Sequence, residues 1–220
     1  MTASQGYDLI IQQLIPGYGS LARLAVALLA ASPLASKPDS AVLVAGCGTG
    51  AELIEARAQR PDWALTALDP SREMLETAQA RVGTDNIEWI QTRVEDLGRE
   101  ACFAGALSVL VLQSLPDDGS KLAFLTALAR SLQPGGQLVL VDLMAPERSP
   151  LRSQVETALL GFQRASGLSG RSEELVPLTQ GMHPIGKARL AALVAAAGFS
   201  DPACVFQALG YEGFLLQRRI

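Results

Sequence analysis

Apolar residues recur along this chain in two alternating rhythms. Leu9, Ile10 and Leu14, and then Leu21, Leu24, Ala25, Leu28 and Leu29, follow helical spacing, and Pro16-Gly17 and Ser32-Pro33 close the two runs. Ala41 to Ala45 is short and apolar throughout, as a strand buried on both faces reads. A glycine cluster follows, then a helix over 51–60 with Leu53 and Ile54 toward the core, stopped by Pro61. The cycle repeats with strand 63–68, helix 71–82 (Ser71 as N-cap), strand 87–91, strand 107–112, helix 120–132 and strand 137–141. Gln133-Pro134-Gly135-Gly136 reads as the turn before that last strand. Beyond Pro150 come a helix over 151–165, a polar stretch over 169–181 and a helix over 187–197. Two apolar runs, 203–209 and 213–216, are parted by Gly210-Tyr211-Glu212 and read as a terminal hairpin antiparallel to the rest. The pattern predicts an α/β fold in three layers, a mostly parallel sheet with helices on both faces.

Composition narrows the function. Of 220 residues, 49% are hydrophobic and 18% charged, enough to bury a large core and too apolar for intrinsic disorder. A net charge of −4 gives no bulk attraction to nucleic acid or anionic lipid. Cys47, Cys102 and Cys204 are odd in number and far apart, which fits neither a disulfide framework nor a metal-ligand spacing. Leu21 to Ala31 is too short to span a bilayer and contains Arg23, and MTASQGYDL does not read as a signal peptide. The expectation is one cytoplasmic domain with no metal, no membrane partner and no nucleic-acid partner. No G-x-S-x-G, H-E-x-x-H or Walker loop occurs.

The sharpest motif is Gly46-Cys47-Gly48-Thr49-Gly50, joining the buried strand to a helix. Glycine permits the backbone angles of a tight turn and lets a ligand approach the main chain, although a purely structural turn has the same sequence. The spacing G-x-G-x-G puts the third glycine one residue too early for a dinucleotide fingerprint. Asp69 ends the next strand, nineteen positions after Gly50, where a carboxylate can accept both hydroxyls of a ribose; capping the helix at Ser71 is its other reading. Glu95 and Asp96 follow the third strand, placed to accept from an adenine amino group or to face solvent.

With the Leu132 to Gly136 turn, these motifs resemble the class I S-adenosylmethionine-dependent methyltransferases over about residues 40 to 145. The resemblance implies a seven-stranded Rossmann-like sheet whose last strand runs antiparallel. It implies S-adenosylmethionine as cofactor and S-adenosylhomocysteine as product. Gly46, Cys47, Gly48 and Gly50 would approach the methionine moiety, Asp69 and Pro70 the ribose, and Glu95 and Asp96 the adenine. Two positions depart from the pattern: Val44 and the stretch Phe103-Ala104-Gly105-Ala106 stand where such proteins commonly carry an acid.

The flanks are similar to a narrower group, the carboxy-S-adenosylmethionine synthases, through Ile15-Pro16-Gly17-Tyr18, Leu112-Gln113, Phe162 to Gly167, Lys187-Ala188-Arg189-Leu190 and Ala197-Gly198-Phe199. That resemblance implies Tyr18 at the cofactor, Arg189 on an added carboxylate and a homodimer. A guanidinium fork suits a carboxylate, and a solvated helix residue is the other reading of Arg189. The serine and asparagine of those synthases are replaced here by Gly48 and Val109. General methyl transfer to a small-molecule acceptor therefore ranks first. A synthase using prephenate and a non-catalytic cofactor-binding protein are the alternatives. His183, the only histidine, is a candidate base or simply loop structure. Cys47 reads as a small side chain filling the turn rather than a nucleophile. Residues 1–35 are expected to form a helical lid, 40–145 the cofactor core, 146–200 the substrate side and 201–220 the hairpin.

Overall fold

The structure, a computed structural model, describes residues 3–146, 149–168 and 181–220. The polar stretch expected to be irregular falls mostly outside the described residues. Seven strands form one sheet in the order β3-β2-β1-β4-β5-β7-β6. They are β1 (Ala41–Ala45), β2 (Ala64–Leu68), β3 (Ile87–Ile90), β4 (Phe103–Val109), β5 (Leu132–Leu143), β6 (Ala203–Ala208) and β7 (Tyr211–Gln217). The first five are parallel, and β7 pairs antiparallel with both β5 and β6. Only β7 therefore runs against the others.

Alternation along each strand divides the core in two. Val42 and Val44 face a cluster closed by α1 (Ala3–Leu14), α2 (Tyr18–Ala30), α3 (Ala51–Gln59) and α4 (Arg72–Val82). Leu43 and Ala45 face the other, closed by α5 (Ser120–Ser131) and α7 (Lys187–Ala196). Between these last two in sequence, α6 (Arg152–Ala165) buries none of its residues and is tied to α1 by the Gln163 side chain donating to the Leu14 carbonyl at 3.3 Å. Ser71 caps α4 as expected, its hydroxyl accepting from Met74 N–H. Among the described residues no helix is long and apolar enough to cross a membrane.

Four expectations shift. The fourth strand is Phe103–Val109 rather than 107–112. Ala104, Gly105 and Ala106 are small and carry little strand signal, and Leu29 of α2 lies against Gly105, where a Cβ would come within 2.5 Å of the leucine. The expected turn 133–136 is contained within β5 as a bulge: Phe103 pairs with Leu132 and Gly105 already with Gln137. The hairpin turns at Leu209-Gly210, both at positive φ (47° and 100°), so Tyr211 and Glu212 belong to the strand. In α3, Ile54 is 39% exposed; Glu52, Leu53 and Ala56 are the buried positions instead.

Candidate cofactor site at the strand C-termini

The loop after β1 is pinned to the end of β2. Gly46 and Cys47 N–H both donate to the Leu68 carbonyl at 2.8 Å, and Gly48 N–H donates to Asp69 Oδ2 at 2.9 Å. Gly46, Gly48 and Gly50 all have positive φ (74°, 49° and 89°), which L side chains rarely adopt. Their surroundings give them three different tasks. A Cβ on Gly46 would meet Val111 Cγ2 at 2.4 Å, so this glycine admits the segment after β4. A Cβ on Gly50 would meet Val82 and Ala78 of α4 at 3.0 and 3.2 Å, so this one admits a neighbouring helix. A Cβ on Gly48 would meet nothing within 4 Å, and its main chain is left bare toward open space.

That space is a cavity of about 350 Å³. It is lined by the glycine loop and Glu52, by Asp69 and Pro70 after β2, by Thr92 to Glu95 after β3, and by Val109 to Val111 with Ser114 and Leu115 after β4. Tyr18, at the start of α2, completes the wall. Such a crevice beyond the carboxyl ends of parallel strands is where open α/β sheets bind ligands. Asp69 is 8% exposed; Oδ2 takes the Gly48 bond and Oδ1 accepts from Ser71 N–H at 2.9 Å. A carboxylate offers about four lone-pair positions, so two remain for a ligand.

Burial first, and then the fields of Asp69 and Glu52, push the Cys47 thiol up to about 12. It stays protonated and is no nucleophile. Iodoacetamide at pH 8 is accordingly expected to alkylate exposed Cys102 and Cys204 on the native protein, and Cys47 only after unfolding. Peptide mass spectrometry reads this directly, and native labelling of Cys47 would contradict it.

Of the residues singled out in the sequence, Tyr18, Gly46, Cys47, Gly48, Asp69, Pro70 and Glu95 line this one cavity. Gly50 supports the loop from behind. Asp96 is exposed at the end of a short 3-10 turn, Val94–Asp96, outside the lining. His183 is exposed too, its N–H donating to the Gln113 carbonyl at 2.6 Å. Arg189 lines neither this cavity nor the next three among the described residues, and its guanidinium makes two 2.9 Å bonds to the carboxylate of Asp117. Sequence reasoning missed Glu52, Arg93, Leu110, Val111 and Ser114. Leu110 holds a φ of 61°, which turns the chain out of β4, and a leucine gives no sign of a left-handed conformation. Glu52 left a weak trace, an acid two residues past the last glycine.

The wall after β4 is held from behind by a buried polar network. Gln113 N–H donates to Asp142 Oδ1 at 2.9 Å, and Leu143 N–H donates to Gln113 Oε1 at 2.7 Å. Lys121, fully buried, donates to the Leu112 carbonyl. Among the described residues, Asp142 Oδ2 is buried with no hydrogen-bond partner within bonding distance. Burial raises the Asp142 carboxyl to about 7, and it lowers the Lys121 ammonium below its ordinary range.

Known proteins share both the glycine-loop region and the fold. Residues 42–136 match the family described as Methyltransferase domain. Solved structures share the fold: human N-acetylserotonin methyltransferase in complex with S-adenosylmethionine has a TM-score of 0.63 and 19% identity, over 97% of this chain and 55% of that one. The 1,6-didemethyltoxoflavin-N1-methyltransferase of Burkholderia thailandensis, with 1,6-didemethyltoxoflavin and S-adenosylhomocysteine bound, has a TM-score of 0.62 and 19% identity, over 100% and 92%. Residues 42–136 thus match a methyltransferase domain, and the chain shares the Rossmann-like fold of these solved methyltransferases. Among curated proteins it is similar to the carboxy-S-adenosyl-L-methionine synthase of Shewanella oneidensis, 31% identical over 139 residues. That match covers 60% of this chain and 56% of the relative, little more than half the relative's length.

Proposed function

We propose that the protein is an S-adenosylmethionine-dependent methyltransferase acting on a small-molecule acceptor. The observation that carries this reading is the bare main chain at Gly48 facing the cavity, with the Asp69 carboxylate fixed beside it. Glycine main chain suits close approach of the cofactor, and Asp69 has acceptor capacity left for its ribose. Bound S-adenosylmethionine brings a methyl group already activated by the sulfonium. The protein's part is then to hold both partners in line and exclude water, with no dedicated acid–base pair. A second cavity of about 310 Å³, between the end of β5, α6 and the hairpin turn, offers the acceptor a site at the same sheet end. Met144, Val155, Leu159 and Leu209 line it, and so does Glu212, whose buried carboxylate is 3.1 Å from Lys187.

A carboxy-S-adenosylmethionine synthase is the second reading, favoured by the similarity to the Shewanella oneidensis protein. Arg189 lends it no support: its fork is taken up by Asp117, and it is not among the residues that line the cavity. Mass spectrometry of small molecules that copurify with the protein separates the readings. S-adenosylmethionine or S-adenosylhomocysteine is the expected result. A ligand heavier by one carboxyl group would overturn methyl transfer in favour of the synthase.

A further inference from the structure

The proposed cofactor has an ammonium and a carboxylate on its methionine moiety as well as the sulfonium. Taking an ammonium out of water is costly unless a hydrogen-bonding anion receives it. The cavity has few candidates. Val44, two residues before the first glycine, is 2% exposed in the core against the helices and does not line the cavity. Asp69 and Glu95 follow β2 and β3, so they belong to the side of the cavity assigned above to the adenosine. On the opposite side, beyond the glycine loop, Val109, Leu110, Val111, Ser114 and Leu115 carry no charge.

Glu52 is the remaining acid among the described lining residues. It sits in the first turn of α3, directly after the glycine loop, is 6% exposed and lines the cavity. The positive end of the helix favours a carboxylate there. Its field reaches into the loop, since it acts on the Cys47 thiol. We propose that Glu52 receives the α-ammonium of the cofactor's methionine moiety, in place of an acid ahead of the first glycine. The assignment rests on the cofactor reading above and extends it to a residue that selects for the amino-acid end of the ligand. Among the described lining residues the charged groups are Glu52, Asp69, Arg93 and Glu95, and the one cation, Arg93, follows β3 beside Glu95.

Calorimetry with three ligands tests it. S-adenosylhomocysteine carries the ammonium, its deaminated analogue 5′-S-(3-carboxypropyl)-5′-thioadenosine lacks only that group, and 5′-methylthioadenosine lacks the whole amino acid. Glu52→Gln is expected to weaken S-adenosylhomocysteine by about tenfold or more, as loss of a charge-assisted hydrogen bond does. It should leave 5′-methylthioadenosine within about twofold and the analogue nearly unchanged. On the wild-type protein the analogue should already bind about tenfold more weakly than S-adenosylhomocysteine, a comparison that needs no variant to fold. Equal wild-type affinity for those two ligands would overturn the proposal. So would an equal loss of all three ligands in Glu52→Gln. Wild-type protein that binds none of the three would remove the cofactor reading itself, and the role of Glu52 with it.

Discussion

Asp69→Ala lowers affinity for S-adenosylhomocysteine by about 10- to 100-fold, the largest effect expected of any single change in the lining. Two losses add. The ribose hydroxyls lose a charged acceptor, and Gly48 and Ser71 N–H lose the oxygens at 2.9 Å that fix the glycine loop to the end of β2. Asp69→Asn keeps one acceptor oxygen and should fall between the variant and the wild type. Asp96→Ala is the matched control, since Asp96 is exposed and outside the cavity; its affinity should stay within about twofold of wild type. Calorimetry on the three variants checks the order. Equal affinities for Asp69→Ala and wild type would remove Asp69 from the site.

Asp142 gives the largest expected dependence on pH. Its carboxyl is raised to about 7 in the folded protein by burial, against an ordinary value near 3.8. The native state therefore keeps a proton that the unfolded chain has released. Stability contributed by this group is complete at low pH and is lost as pH rises from about 4 through about 7. The whole change is of order 4 kcal/mol, reduced where buried Lys121 compensates the charge. Asp142→Asn keeps an acceptor for Gln113 N–H and does not titrate. Urea unfolding between pH 4.5 and 8.5 should show wild-type stability falling relative to the variant as pH rises. Parallel curves for the two proteins would mean that Asp142 does not titrate in this window.

How much of the site was legible follows from how far each determinant reaches along the chain. The glycine loop was readable because positive φ at Gly46, Gly48 and Gly50 is a demand on single residues. Asp69 was readable because it ends a strand at a fixed distance from that loop. Glu52 and Leu110 were not. A glutamate in a first helical turn reads as a surface residue, and a leucine at φ 61° reads as a strand, until folding puts the cavity beside them. Arg189 shows the same limit from the other side: its fork suits a ligand carboxylate, and the partner it has in the structure is Asp117, 72 positions away in sequence.

The order of strands and helices, the glycine loop and the terminal hairpin were determined by the sequence itself. Periodicity, capping and backbone angle act within a few residues. The tertiary structure alone decided which side chains share the cavity, that Asp142 is buried, and that Gly46 and Gly50 serve packing while Gly48 faces open space. Those properties depend on groups brought together from the ends of separate strands. Burial and electric field are set by neighbours in space, and no local pattern in the chain records who those neighbours will be.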